Sequence, residues 1–144
     1  MRGWDGGKRV QGRKRHLVVD TLGLVLKAFV TEADYQDRTV ASWLVPLLPE
    51  TFPRLKKLWA DGGYSGEWLE QLPADFPIRL EISTPPKGQR GFTLLPRRWV
   101  VERTFAWLGH SRRLSKDYEY LVTTADAMIY AAMIRLMLRR LAPS

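Results

Sequence analysis

The sequence contains no cysteine and only two histidines in 144 residues. Disulfides and thiolate zinc sites are therefore excluded, and a histidine-rich metal centre lacks the ligands to be built. The same absence fits a reducing cytoplasm. Long hydrophobic runs are missing too: the longest, Ala127 to Ile134, is far short of the roughly 20 residues a membrane-spanning helix needs. The amino terminus opens with Arg2, Gly3, Trp4 and Asp5 and shows no signal-peptide pattern. Negative charge is scarce, with 15 Asp and Glu against 23 Lys and Arg, a net charge of +8. These features describe a basic cytoplasmic protein without a membrane partner. Its charge favours a polyanionic partner, most often nucleic acid, and its length suits one domain with a substantial core.

What is present begins with a basic stretch. Residues 1–15 hold four Gly and six Lys and Arg, among them Lys8, Arg9, Arg13, Lys14 and Arg15. They read as a flexible arm, either a solubilising tail or a contact for phosphates. Two β-rich runs follow, residues 16–20 and 24–30, around Thr21-Leu22-Gly23, which predicts an antiparallel hairpin. Asp20 at its turn is either a turn opener or a catalytic carboxylate. From Asp37, a plausible N-cap, a helical period runs to Leu48, with Pro46 expected to end it near Val45. Lys57-Leu58-Trp59-Ala60 is a strand delivering Asp61, followed by Gly62-Gly63. Such a motif serves equally as a ligand site at a strand end or as a plain strand-to-helix turn. A short helix over 66–72, a strand over 77–83 and a loop carrying Lys87 and Arg90 come next.

Pro96-Arg97-Arg98-Trp99-Val100-Val101-Glu102-Arg103-Thr104-Phe105-Ala106-Trp107-Leu108 reads as an amphipathic helix with Val101, Phe105 and Leu108 on its apolar stripe. Arg98 and Glu102, four apart, share a neighbouring face, so Glu102 is either a solvated ion-pair residue or a ligand on a rigid support. Beyond Gly109, Arg112, Arg113 and Lys116 alternate with Tyr118 and Tyr120. That pattern suits phosphates and unstacked bases, but Asp117 and Glu119 fit a plain solvated face as well. Thr123-Thr124-Ala125-Asp126 predicts a capping-box start to a last helix through Leu141, with Ile129, Ala132, Met133 and Leu136 in the core.

Three blocks and a tail carry a resemblance. Gly12-Arg13-Lys14-Arg15-His16 running into Val19-Asp20-Thr21-Leu22-Gly23, Ala60-Asp61-Gly62-Gly63-Tyr64, the 96–108 helix and Arg112-Arg113-Leu114-Ser115-Lys116-Asp117-Tyr118-Glu119 resemble the C-terminal half of bacterial insertion-sequence transposases of the DDE class. The resemblance implies an α/β, RNase H-like (retroviral-integrase-like) fold, a mixed sheet flanked by helices, lacking its first strand. Residues 16–144 would be that partial catalytic domain and 1–15 its basic arm. It further implies that Asp61 and Glu102 are the second and third catalytic carboxylates, binding Mg²⁺ or Mn²⁺, and that Arg98 is the Arg of the family's Tyr-Arg-Glu-Lys signature. Leu95 stands where that signature has Tyr, and Gly109 where it has Lys.

In this family the first Asp usually sits on a strand ahead of the Gly-rich basic segment. Asp20 lies on the next strand, so the expectation is a truncated or split-frame transposase. The activity implied is metal-dependent DNA strand cleavage and transfer at insertion-sequence ends and target. Lys8, Arg9, Arg13, Lys14, Arg15, Lys87, Arg90, Arg112, Arg113 and Lys116 are the expected DNA contacts. Partners are DNA and a homo-oligomer or full-length transposase, and the location is the bacterial cytoplasm at the nucleoid. The alternative is a non-catalytic DNA-binding fragment that regulates full-length transposase.

Overall fold

The computed structural model describes residues 2–84, 88 and 97–142. The chain is mixed α/β and divides into two compact units, Met1–Tyr35 with Val100–Ser144, and Gln36–Trp99. Among the described residues no helix is long and apolar enough to cross a membrane.

The first unit begins with β1 (Gly3–Asp5) and β2 (Val10–Val19), an antiparallel pair. The expected flexible arm is therefore strand. Asp5 accepts hydrogen bonds from the backbone N–H of Gly7 (2.9 Å) and Lys8 (3.0 Å), and Arg9 takes a φ of 54°, so a short polar stretch reverses the chain. Composition concealed this, because the glycines and cations that suggest disorder here serve a turn and a ladder. β2 then pairs antiparallel with β3 (Val25–Glu32), Arg15 opposite Val30 and Leu17 opposite Ala28. At the reversal Asp20 Oδ1 accepts from the N–H groups of Leu22 and Leu24, both at 2.9 Å, and Gly23 takes a φ of 84°. Asp20 is a turn residue.

The core of this unit forms where β3 meets two helices, α3 (Arg98–Gly109) and α4 (Val122–Leu141). Ala28, Val30, Leu108, Leu114, Ala125, Ile129 and Met133 are buried together, with Ala132 and Leu136 packed against them. Removal of these apolar surfaces from water is the main favourable contribution. The stripe that α3 buries is Val100, Thr104 and Leu108, one residue round from the expected Val101, Phe105 and Leu108. The polar Thr104 is tolerated inside because its hydroxyl donates to the Gly23 carbonyl at 2.7 Å. The N-cap of α4 is Leu121, which makes no side-chain cap bond. The expected capping box fails because Asp126 is used elsewhere, accepting the Val30 N–H at 2.8 Å.

In the second unit α1 (Asp37–Leu44) ends where Pro46 demands, in a 3-10 turn over Val45–Leu47 that leads into α2 (Leu48–Thr51). Gln36, not Asp37, is the N-cap. β4 (Lys57–Asp61) and β5 (Arg79–Ser83) pair in parallel, Asp61 opposite Ser83. Two 3-10 turns, Gly62–Tyr64 and Glu67–Gln71, begin the crossover between them. Among the described residues the strands make a three-stranded ladder β1-β2-β3 and a two-stranded ladder β4-β5. Hairpin pairing joins the first set and a crossover the second, and no described strand bridges them.

Candidate functional site

Asp61 is the last residue of β4, and its environment is made within the second unit. Its side chain turns forward to accept the Gly63 N–H at 3.0 Å, which caps the 3-10 turn and fixes the carboxylate. Ser65 ties the same turn from below, its hydroxyl donating to the Gly62 carbonyl at 2.7 Å. A second carboxylate approaches. A Cβ added at Gly63 would lie 3.1 Å from Asp61 Oδ1 and 3.2 Å from Asp37 Oδ2, so both oxygens converge on the bare side of this glycine. Only a residue without a side chain leaves that space open. The Tyr64 phenol is pushed well above its ordinary value, first by burial and then by Asp37 and Asp61. At neutral pH it is a hydroxyl beside two carboxylates.

The approach of Asp37 to Asp61 has no signal in the sequence. An Asp at the start of a predicted helix looks like a cap, and nothing in the spacing from 37 to 61 marks the pair. On β4 itself, Trp59 lies beneath two cations, Lys57 Nζ at 4.6 Å and the Arg97 guanidinium at 5.1 Å from the ring centroid. Lys57 also pairs with Glu81 across the ladder at 2.6 Å.

Glu102 belongs to the first unit, exposed on α3, and Arg98 is exposed in the first turn of the same helix. What fixes the helix lies on its other side. Thr104 bonds the Gly23 carbonyl, Arg103 donates to the Leu22 carbonyl at 2.9 Å, and Trp107 lies under both Arg103 and Arg140, each 4.6 Å from its ring. A Cβ at Gly23 would come within 2.8 Å of the Thr104 hydroxyl, so the β2–β3 turn and α3 fit only with glycine there. Asp61 and Glu102 thus stand on separately braced supports. Among the described residues, no three His, Asp or Glu side chains group closely enough to hold a metal ion.

The basic residues divide. Lys8, Arg9, Arg112, Arg113 and Lys116 are exposed. Arg13 is not, its side chain only 4% exposed and donating to the carbonyls of Glu119 (3.0 Å) and Tyr120 (2.5 Å). Arg15 donates to the carbonyls of Leu114 (2.7 Å) and Lys116 (3.0 Å), and Lys14 to that of Tyr35 (2.9 Å). Arg13 and Arg15 therefore brace the 114–120 backbone from β2. Lys87 and Arg90 lie outside the described residues.

A carboxylate pinned at a strand end beside two glycines, and another on a braced helix with an Arg one turn before it, are the parts from which metal-dependent phosphoryl-transfer sites are built. The chain belongs to the transposase DDE domain family, whose match spans residues 1–137. It is 35% identical over 115 residues to a Burkholderia cepacia protein described as a transposase for insertion sequence element IS402. That alignment covers 75% of this chain and 54% of the relative, so the chain spans about half the relative's length. No solved structure matches it.

Proposed function

We propose that this chain supplies the second and third carboxylates, Asp61 and Glu102, of an RNase H-like DNA transposase, with the first Asp provided from outside these 144 residues. The observation that supports it most is the convergence of Asp37 and Asp61 oxygens at Gly63, since hard divalent cations such as Mg²⁺ take carboxylate oxygens. Asp61 and Glu102 would hold the ion, with Asp37 beside Asp61. When bound, it supplies Lewis acidity at phosphorus and favours the ionised attacking oxygen. The Gly63 N–H keeps Asp61 oriented, the Tyr64 hydroxyl stays protonated near Asp37 and Asp61, and Arg98 offers a planar fork to a phosphate. Lys8, Arg9, Arg112, Arg113 and Lys116 would hold the DNA backbone. The substrates would be the element's ends and its target, and the working form an oligomer or a complex with full-length transposase.

Titration of the purified chain with Mn²⁺, read by electron paramagnetic resonance, tests the ligand assignment without requiring turnover. The expected result is weak binding that Asp61→Asn removes. Binding unchanged in both Asp61→Asn and Glu102→Gln would overturn it. The regulatory alternative, a DNA-binding fragment without catalysis, predicts DNA binding that is indifferent to both substitutions and to metal.

A further inference from the structure

Residues 112–121 form a loop held rigidly from beneath and aromatic on its outer side. Leu114 is buried in the core, and the carbonyls of Leu114, Lys116, Glu119 and Tyr120 all accept from Arg13 or Arg15 of β2. Arg2 adds a hydrogen bond to the Asp117 carbonyl at 3.0 Å. The two acids that left the sequence pattern ambiguous are turned to this inner side. Glu119 is 7% exposed and pairs with Arg113 at 2.6 Å, and the Asp117 carboxylate meets Arg2 and Arg13, each at 3.5 Å. With these charges paired, the loop exposes Tyr118 (55%), Tyr120 (90%) and the cations Arg112 and Lys116. Tyr118, Tyr120 and Leu121 border an open cavity of about 710 Å³ that Arg2, Glu119 and Thr123 also line, Glu119 being paired with Arg113.

An aromatic ring left in water on an ordered loop forgoes the burial that would stabilise it, while the backbone bonds have already met the entropic cost of ordering. That combination is the anatomy of a preorganised stacking surface. We propose that Tyr118 and Tyr120 form a site for unpaired DNA bases, each base stacking on a ring while Arg112 and Lys116 engage the adjoining phosphates. Every base has a π-face, so such a site is tolerant of sequence, and flanking cations select a polyanion over an apolar partner. Duplex bases are already stacked on one another and cannot occupy it. The inference rests on the proposed DNA role of the chain and extends it from phosphates to bases.

Fluorescence anisotropy at low salt on four labelled probes separates the terms: a dT 12-mer, an abasic 12-mer with the same phosphates, a 12-base-pair duplex and an rU 12-mer. The dT oligomer should bind more tightly than the abasic one. Tyr120→Ala should weaken dT binding by at least about five-fold, with abasic and duplex binding unchanged, and Tyr120→Phe should restore it because the ring rather than the hydroxyl is used. Tyr120 is so exposed that the fold should be untouched, which an unchanged melting curve confirms. Equal affinity of the native chain for dT and abasic probes, an equal loss on every probe, or absence of dT binding would each overturn the stacking site. A strong preference for rU would overturn its assignment to DNA. Failure of duplex binding alone would count against the phosphate contacts of the proposed function and leave the stacking site standing.

Discussion

Asp126 shows how one side chain can be drawn away from the role its position advertises. In sequence it closes a capping box; in the fold its carboxylate serves the Val30 N–H on β3 and is half-buried. Burial raises its pKa, against the lowering effects of the Val30 N–H and Lys27. A carboxyl that keeps its proton longer folded than unfolded contributes stability fully at pH below its unfolded value, and that contribution is lost as pH rises through the raised folded value. Asp126→Asn retains an oxygen for Val30 and removes the buried charge. The variant should therefore melt at the same or a higher temperature at pH 7, the difference shrinking as the pH falls into the ordinary carboxylate range. A clear drop in melting temperature at pH 7 would contradict this. Asp37 is the complementary case, a residue whose helix-start position hides its place beside Asp61.

Among the elements, β2 departs most from expectation. Its basic residues read as an arm for phosphate, yet Arg13 and Arg15 bind the carbonyls of a loop about a hundred residues away in sequence. Local composition cannot foresee such a use, because only the folded chain brings those carbonyls within reach. The strands and helices that were legible carry local signals: the β-rich run 24–30, the Pro46 stop, the Asp20 and Gly23 turn, and the periodic Ile129 and Met133 of α4. The rotation of α3 by one residue was not legible, since a Thr at 104 looks polar until its hydroxyl meets the Gly23 carbonyl. Arg13→Met, which keeps the stem and removes the donors, should cost about 1–3 kcal/mol in urea denaturation. It should also speed amide exchange in residues 114–121. Unchanged stability together with unchanged exchange would show that Arg13 is not the brace described.

For the molecule as a whole, the family was legible because Ala60-Asp61-Gly62-Gly63-Tyr64 and the α3 segment carry its motifs, within a match spanning residues 1–137. The parallel pairing of β4 with β5 was not, because pairing between strands separated by a crossover leaves no periodic trace. Two carboxylates hold a divalent ion weakly, and two-metal displacement at phosphorus needs more. The direct measurement is cleavage of DNA bearing the element's ends, in Mg²⁺ or Mn²⁺, by this chain alone and by the same chain preceded by an Asp-bearing upstream segment. The account predicts that the chain alone is inert and the extended protein cleaves, and that Asp61→Ala and Glu102→Ala each abolish that cleavage while DNA binding persists. Cleavage by the extended protein that survives either substitution would contradict it.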